Sequence, residues 1–280
     1  SAISNLTNVT RNSAEFISSV GTVADSNLVS LFRPNETDHS SSTSSVSSLK
    51  SGDSATLVKV NTAHSGNNLL ENNAKFSNSM SIRTASAGDG GWKIVPTTAY
   101  NFGTNDFTIE AWAYNNNISL DSNHRYIMDW NTSTGSRLSM GMMSNGNNSY
   151  FGQTFASNSF EPSSGFNSLN GFSNGSWTHW AWVKSSGNLA LYTDGHRQAT
   201  YSDSLSYNFQ SQANAAMAFG QRHGSNTNGH LVNLWQQEIR VSNNARYSGS
   251  TYTIPTAQFS TTTESTSATG SFTGNNITAS

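Results

Sequence analysis

The sequence predicts an all-β protein, an antiparallel two-sheet sandwich or jelly roll with an extended N-terminal arm. Three observations support this prediction. Short segments alternate between apolar and polar residues, turns rich in Gly and Asn separate them, and no segment shows sustained helical periodicity with caps. Many short strands at close spacing are typical of sandwiches and jelly rolls.

The composition fits a folded chain that carries few charges. Charged residues make up 11% of the 280 residues and the net charge is −2, whereas globular proteins usually have about 25% charged residues. The 7 Trp, 9 Tyr and 14 Phe can anchor a core that is sparse in aliphatic residues, because each aromatic side chain buries a large area.

The same composition excludes several classes of function. The 14 basic residues are balanced by 16 acidic ones and form no cluster, so a nucleic acid is not an expected partner. No apolar run approaches the roughly 18 residues of a membrane span, so no membrane insertion is expected. Because there is no Cys, disulfides and thiolate metal sites are excluded.

Three regions differ in composition. Residues 1–68 are Ser-rich with scattered apolar residues, and we expect them to form an N-terminal arm or assembly segment. Residues 69–259 hold all seven Trp and are predicted to form the jelly roll. Residues 260–280 form a polar C-terminal tail.

The middle region is predicted to be a series of strands. Asp106–Tyr114 alternates strictly and carries large side chains on both faces, which indicates a central strand covered on both sides. Asn188–Thr193 and His196–Thr200 flank Asp194-Gly195, a strong hairpin signal, because a type I′ turn needs positive φ at both central residues. Further strands are expected at 75–82, 92–95, 125–130, 137–143, 149–155, 177–183, 215–221 and 230–241.

Four blocks, in order along the chain, resemble a known family. Asn101–Trp112 resembles the F-G-x-x-D-F-T-I-E-A-W strand of laminin-G-like, concanavalin A-like jelly rolls. Residues 177–181 and 189–195 are similar to the W-x-H-x-A and L-x-L-Y-x-D-G blocks of the hairpin in this family. Residues 238–247 resemble its E-x-R-I-S-x-x-A-R-Y segment, and 252–259 its closing F-T-x-P-x-x-x-F. The resemblance implies a concanavalin A/laminin-G-like fold of the type found in bacteriophage and bacterial surface proteins.

A glycosidase on this fold would need two carboxylates flanking the scissile bond. The seven Glu are isolated, and the Glu-x-Asp-x-x-Glu motif of related glucanases is absent. Glu110 is expected to be structural, paired with an arginine such as Arg240. The sequence therefore predicts a protein that is not an enzyme, with a glycoside hydrolase as the remote alternative.

Ca²⁺ is the metal ion to consider, since many relatives hold one at a loop rim with carboxylates and carbonyls. Asp89, Asp121 and Asp129 are the candidate ligands, because they are expected in loops or at strand ends. None has ligand-dense spacing, so solvated loop acids are the competing interpretation. Gln236-Gln237 stand where the family often has Ile-Asp, which weakens an inherited metal site.

Glycan binding would use aromatic rings that stack on sugars, with nearby polar groups that supply hydrogen bonds. Trp92, Trp130, Tyr150 and Phe151 are the candidates, because they are expected near loops and away from central alternating positions. For each of them, packing in the core or at a rim is the competing interpretation.

Two functions from different classes remain open. The first is a non-enzymatic structural component of a phage virion, a decoration, tail or fibre protein, whose N-terminal arm contacts other virion proteins or copies of itself. The polar arm, the missing Cys, the low charge and an N-terminus without signal-peptide features favour it. The second is a secreted or cell-surface carbohydrate-binding or adhesion module that contacts host-surface glycans. Both place the protein on a virion surface or outside a cell.

Overall fold

The protein is built from antiparallel β-strands. The computed structural model describes residues 14–17, 20–34, 45–59, 70–71, 74–76, 81–84, 91–115, 125–131, 137–143, 149–155, 175–209, 217–220, 234–266 and 269–272. Within these ranges the strands are β1 Ala14–Ile17, β2 Val20–Ala24, β3 Leu28–Phe32, β4 Ser45–Ser47, β5 Thr56–Lys59, β6 Leu70–Glu71, β7 Ser81–Thr84, β8 Trp92–Val95, β9 Asn101–Gly103, β10 Phe107–Asn115, β11 Arg125–Asn131, β12 Arg137–Met143, β13 Ser149–Phe155, β14 Trp177–Ser185, β15 Asn188–Thr193, β16 His196–Ser202, β17 Tyr207–Asn208, β18 Ala218–Phe219, β19 Leu234–Ser242, β20 Thr262–Thr266 and β21 Thr269–Phe272. One 3-10 turn spans Thr98–Tyr100. The predicted all-β fold is confirmed, and the described residues contain no helix that could cross a membrane.

Two sheets form the jelly roll. The eight-stranded sheet has the order β16-β15-β14-β10-β19-β7-β6, and β3 also pairs with β19. The seven-stranded sheet has the order β13-β12-β11-β18-β8-β5-β4. All pairings in both sheets are antiparallel, as predicted.

The core lies between the two sheets and is rich in aromatic residues. Phe107, Ile109 and Ala111 of β10 point into it, and so do Trp180 and Trp182 of β14. We call this side of the eight-stranded sheet its inner face. The outer face of the sheet carries the alternate residues of β10, among them Glu110 and Trp112, which are also buried. The prediction of a central strand covered on both sides is confirmed.

Strand β19 changes its partner halfway along. One edge pairs with β10, while the other pairs first with β7 and then with β3. The register with β10 shifts between Glu110 and Trp112 because β19 has one extra residue there, and Glu238, within this bulge of β19, has φ of +57°. A bulge adds one residue to a strand and bends the strand locally. This bend lies where the partner of β19 changes from β7 to β3.

The N-terminal boundary of the jelly roll differs from the prediction. The compact unit runs from Asn27 to Phe259, and β3, β4 and β5 are strands of the two main sheets. The predicted start at residue 69 was too late. The apolar run Leu28–Phe32 is completely buried and pairs with the centrally placed β19.

The Asp194-Gly195 hairpin forms as predicted. Asp194 has φ of +49° and Gly195 of +79°, as a type I′ turn requires. β8, β12, β13 and β15 have the predicted bounds. Of the strand expected at 75–82, Lys75 and Phe76 are not in a strand, 77–80 lie outside the described residues, and β7 extends from Ser81 to Thr84. β18 is shorter than expected within the described residues.

The terminal segments form a second compact unit, made of residues 1–26 and 260–280. Within it, β1 pairs with β21 and β2 pairs with β20, both antiparallel. The described strands at the start of the predicted N-terminal arm therefore pair with those of the predicted C-terminal tail.

Candidate functional site

Two of the predicted glycan-binding residues lie in the interior. Trp92 and Trp130 are both 0% exposed and belong to the main core. Trp130 stacks on Tyr207 with ring centroids 5.3 Å apart. A sugar needs an exposed ring face, so the structure corrects the expectation that these two residues form a stacking platform.

The other two predicted residues lie on a strand at the edge of the seven-stranded sheet. Tyr150 and Phe151 belong to β13 and pair through the backbone with Met142 and Gly141 of β12. Their side chains fall outside the described part of the chain, so their role stays a prediction. β8, β11 and β13 hold the four candidates, and no two of these strands are neighbours in the sheet.

The predicted Ca²⁺ ligands do not form a visible cluster. Asp89 and Asp121 lie outside the described residues. Asp129 was expected in a loop or at a strand end, but it sits within β11 and is 0% exposed, paired with Ser139 on β12. Among the described residues, no group of three His, Cys, Asp or Glu could hold a metal ion. The residues present around Asp129 therefore do not fit a rim Ca²⁺ site.

The outer face of the eight-stranded sheet holds a buried polar cluster around Glu110. Arg240 Nε donates to Glu110 Oε1 at 2.7 Å, which confirms the predicted pair. The Tyr247 hydroxyl donates to Glu110 Oε2 at 2.6 Å, and His179 Nε2 lies 3.2 Å from the same oxygen. Burial alone would raise the pKa of the Glu110 carboxyl, but the Arg240 charge and the contact with His179 outweigh it and lower the pKa to about 2.

Residues 243–259, which we call the strap, cover this cluster. Tyr247 and Tyr252 stack with ring centroids 3.7 Å apart, and the Tyr252 hydroxyl lies 2.5 Å from His179 Nδ1. The tip of the β15–β16 hairpin also holds the strap, because Tyr252 N donates to Gly195 O at 2.8 Å. The strap has no regular periodicity, so its position depends on these specific contacts.

A second buried carboxylate fixes the end of the strap. Glu238 forms an ion pair with Arg33 of the segment that follows β3, and Phe259 N donates to Glu238 Oε2 at 2.8 Å. Arg33 also donates to the Phe259 carbonyl. This Arg33–Glu238–Phe259 clamp joins the first strand of the jelly roll to its last residue.

These contacts decide what the buried carboxylates can do chemically. Glu110 and Glu238 are each 0% exposed and each already paired with an arginine. Asp203 is also engaged, since it accepts from the Tyr207 hydroxyl at 2.7 Å and lies 3.3 Å from Lys184 Nζ. A general acid or nucleophile must reach its substrate, and these three groups are committed to holding the fold.

The terminal unit presents the second feature of interest. The pairs Ala14↔Phe272 and Ala24↔Thr262 share one register, and residues 18–19 and 267–268 lie outside the described part of the chain. Asp25 N donates to Thr261 O at 2.9 Å and extends the same register. We call this pair of strands the terminal ribbon; each strand spans about 11 residues, or roughly 36 Å at β rise.

Sequence reasoning missed both the ribbon and the strap. The ribbon segments carry a usable signal, since Thr, Val and Ile recur in 14–24 and 262–272. This signal is weak because the neighbouring residues are rich in Ser. The strap is recognisable only through its tyrosines, because an irregular segment has no period to detect.

Comparison with known proteins identifies the family. The model described as the concanavalin A-like lectin/glucanases superfamily, of laminin-G type, matches residues 86–247. A search of curated proteins gives no match.

Solved structures of similar fold come from toxins and an enzyme. The binding domain of Paraclostridial mosquitocidal protein 1 has 17% identity and a TM-score of 0.48, covering 79% of this chain and 50% of that one. Trypanosoma rangeli sialidase in complex with 2,3-difluorosialic acid has 11% identity and a TM-score of 0.50, covering 80% and 32%. The botulinum neurotoxin serotype G binding domain has 10% identity and a TM-score of 0.47, covering 79% and 49%.

The chain thus spans between a third and a half of the length of these structures, and at such identities the likeness concerns the fold alone. The family model, by contrast, covers more than half of this chain and includes β10, β14 and β19. The protein belongs to the concanavalin A-like lectin/glucanase superfamily.

Proposed function

We propose that the chain is a non-catalytic structural component of a particle surface, a bacteriophage virion in particular, and that the terminal ribbon attaches it to neighbouring subunits. The observation that carries this proposal is the pairing of the two chain ends into a two-stranded ribbon. The jelly roll between them would then be displayed outside the particle.

An isolated two-stranded ribbon is marginally stable in water, and three or more strands are needed for independent stability. Among the described residues, each ribbon strand pairs on one edge only. Within that part of the chain the other edge has no strand partner, and a strand from another subunit could bind its N–H and C=O groups by β-augmentation.

The sequence of the terminal ribbon favours pairing of its edge with a strand of another chain. Edge strands usually carry Lys or Pro that discourage pairing with other chains. Segments 14–24 and 262–272 contain no Lys, Arg or Pro, and their only charges are Glu15 and Glu264. The ribbon therefore lacks the features that keep natural edges apart.

The non-catalytic part of the proposal is supported by the buried carboxylates. Glu110 and Glu238, the best-placed acids of the described residues, each hold an arginine and contact the strap. Their geometry serves to close the outer face of the sheet.

The test uses the full chain and a variant that alters only the ribbon edge, Val20→Lys/Thr22→Lys. Lys at position 22 lies opposite Glu264, so the ribbon itself tolerates it. The matched control is Thr200→Lys/Ser202→Lys, which adds the same charges at exposed positions of β16. Light scattering measures the mass, and limited proteolysis reports whether the ends are protected.

We expect the wild type and the control to form oligomers with protected ends, and the ribbon variant to be a monomer with cleavable ends. A wild-type monomer whose ends are cleaved would show that copies of this chain do not pair with one another through the ribbon. A wild-type monomer with protected ends would contradict the proposal, because the ribbon would then need no partner.

A carbohydrate-binding or adhesion module is the second candidate. Membership of a superfamily that includes lectins favours it. It is compatible with the first role, since a displayed jelly roll can also bind a glycan.

A further inference from the structure

The two sheets of the jelly roll end in five strands, β16, β6, β3, β13 and β4, and four of these have a protected edge. Natural proteins keep edge strands from pairing with other chains by short length, charges, bulges or a covering segment. In the eight-stranded sheet, β6 has only two residues, one of which is Glu71. The outer edge of β3 is covered, because Leu49 N donates to Leu31 O at 2.8 Å.

The edge of β16 is protected in three ways. Its register with β15 shifts between Leu191 and Tyr192, and it carries Arg197. The strap lies along its first residues, because Arg197 N donates to Ser250 O at 2.9 Å. In the seven-stranded sheet, β4 is only three residues long. These features disfavour pairing of the four edges with another chain.

Strand β13 has none of these protections within the described part of the chain. Its seven residues, Ser149–Phe155, pair one by one with β12 and show no register shift. The segment contains no Lys, Arg, Asp, Glu or Pro. No described strand pairs with its other edge. Among the described ends of the two sheets, β13 is therefore the edge best suited to bind a further strand.

We propose that β13 is the acceptor edge for the terminal ribbon of the next copy of the chain. This inference rests on the proposed function and names the partner that the ribbon binds. A ribbon placed beside β13 extends the seven-stranded sheet by two strands through β-augmentation. The ribbon in turn gains the additional strands that it needs, since two strands alone are marginally stable in water.

The lengths and the charges of the two edges are compatible. Strand β13 spans roughly 23 Å at β rise, so a ribbon strand of about 11 residues can pair along all of it. The ribbon segments carry Glu15 and Glu264 as their only charges, and β13 places no carboxylate opposite them. The edge of β6 would instead bring Glu71 close to these acids, and like charges on paired strands are destabilising.

The ribbon and β13 are different surfaces of the chain, so their contact is heterologous. Every copy then has one ribbon to donate and one β13 edge to accept, and the assembly is a ring if the rotation closes and a filament if it does not. Pairing of β13 with β13 of a second copy would give a symmetric dimer and would leave both ribbons without a partner strand.

The experiment tests whether two defective variants complement each other. Val20→Lys/Thr22→Lys impairs the ribbon as donor. Ser149→Lys/Gln153→Lys adds the same two charges to β13, at positions that already hold polar residues. Light scattering measures the mass of each full-length variant alone and of an equal mixture, and circular dichroism shows whether each variant is folded.

We expect each variant alone to be a monomer, because one lacks a working donor and the other a working acceptor. The equal mixture should contain a complex of two chains, since the intact ribbon of the β13 variant can bind the intact β13 of the ribbon variant. The control Thr200→Lys/Ser202→Lys, on the protected strand β16, should assemble like the wild type.

Three results would overturn this inference. The first is a folded β13 variant that assembles like the wild type, and the second is a pair of monomeric variants that do not combine; in both cases the ribbon would remain an assembly element with another partner. The third is a monomeric wild type, because copies of the chain would then not bind one another. A ribbon variant that assembles like the wild type would contradict the proposed function itself.

Hydrogen exchange in the wild type covers the case in which the β13 variant does not fold. The outward-facing amides of β13 should exchange at least about tenfold more slowly in the assembled protein than after dilution to monomers, because pairing protects them. The amides of residues 198–202 in β16 should exchange equally in both states. Equal exchange of the β13 amides in both states would overturn the inference.

Discussion

The inner face of the eight-stranded sheet packs Trp180 and Trp182 against the opposite sheet, whereas its outer face holds Glu110, His179 and Arg240 under the strap. Both faces are buried, but they are stabilised differently. On the inner face the free energy comes from apolar area removed from water, which many apolar side chains can supply. On the outer face each charge depends on one named partner, because a buried charge without a partner is strongly destabilising. The inner face therefore determines whether the sheet folds, and the outer face determines where the strap lies.

The largest effect is expected on the inner face. Trp180→Ala removes a fully buried ring and leaves a cavity between the sheets, so the free energy of unfolding should fall by about 4 kcal/mol. Urea unfolding followed by circular dichroism measures it. Thr200→Ala, at an exposed position of β16, is the control and should change little. An equally small change in Trp180→Ala would contradict the assigned role of the core.

The outer face should respond to pH. The pKa of Glu110 is about 2 in the folded protein and lies below its ordinary value of 4.5, so its stabilisation is present above pH 5 and lost as the pH falls towards 2. We expect Glu110→Gln to lower the free energy of unfolding by roughly 3 kcal/mol at pH 7 and by much less at pH 2. Unfolding curves at the two pH values test this. If the wild type and the variant lost stability in parallel on acidification, Glu110 would not be the responsible group.

The docking of the strap on the hairpin can be isolated with two glycines. In Gly195→Ala, the new Cβ would lie 2.6 Å from the Tyr252 carbonyl oxygen, and φ is +79°. Gly187 has φ of +75° with nothing within 4 Å of an added Cβ. We expect a loss of about 1 kcal/mol for Gly187→Ala from backbone strain alone, and about 2 kcal/mol or more for Gly195→Ala. Equal melting temperatures for the two variants would show that the hairpin tip does not hold the strap.

The smallest effect should come from a single hydroxyl. Tyr247→Phe removes the hydrogen bond to Glu110 Oε2 but keeps the stack on Tyr252 and the Arg240 ion pair. A loss of about 1 kcal/mol is expected in urea unfolding. Protease cleavage within the strap should become faster, and unchanged cleavage would mean that Tyr247 does not fasten it.

The sequence predicts those parts of the molecule whose signals are local. β10 was found from its strict alternation and the β15–β16 hairpin from Asp-Gly. The pairing of Glu110 with Arg240 was expected from the need of a buried carboxylate for a cation, and it is confirmed. Leu28–Phe32 was missed because its four apolar residues are interrupted by Ser30 and lie in a region whose average composition is Ser-rich. Trp92 and Trp130 were wrongly predicted to lie near loops. The polar residues beside them on short strands resemble the residues of a loop.

Other features depend on contacts between distant residues. Glu238 adopts a left-handed conformation, uncommon for a residue with a side chain. Its partner Arg33 lies 205 residues away in the sequence. Tyr114, Trp177 and Trp235 lie in contact although they belong to three separate strands, which only the fold brings together. Register of this kind is set by the whole sheet and cannot be read from one segment.

The Arg33–Glu238–Phe259 clamp has a consequence for how such proteins can change over generations. It fixes the two ends of the jelly roll beside each other, and Leu28, Leu31 and Phe259 pack together at the same place. A domain whose ends are adjacent can be inserted between two residues of a host without separating them. In genetic terms residues 27–259 form one exchangeable unit, because its two borders lie side by side and recombination at them would replace the jelly roll as a whole.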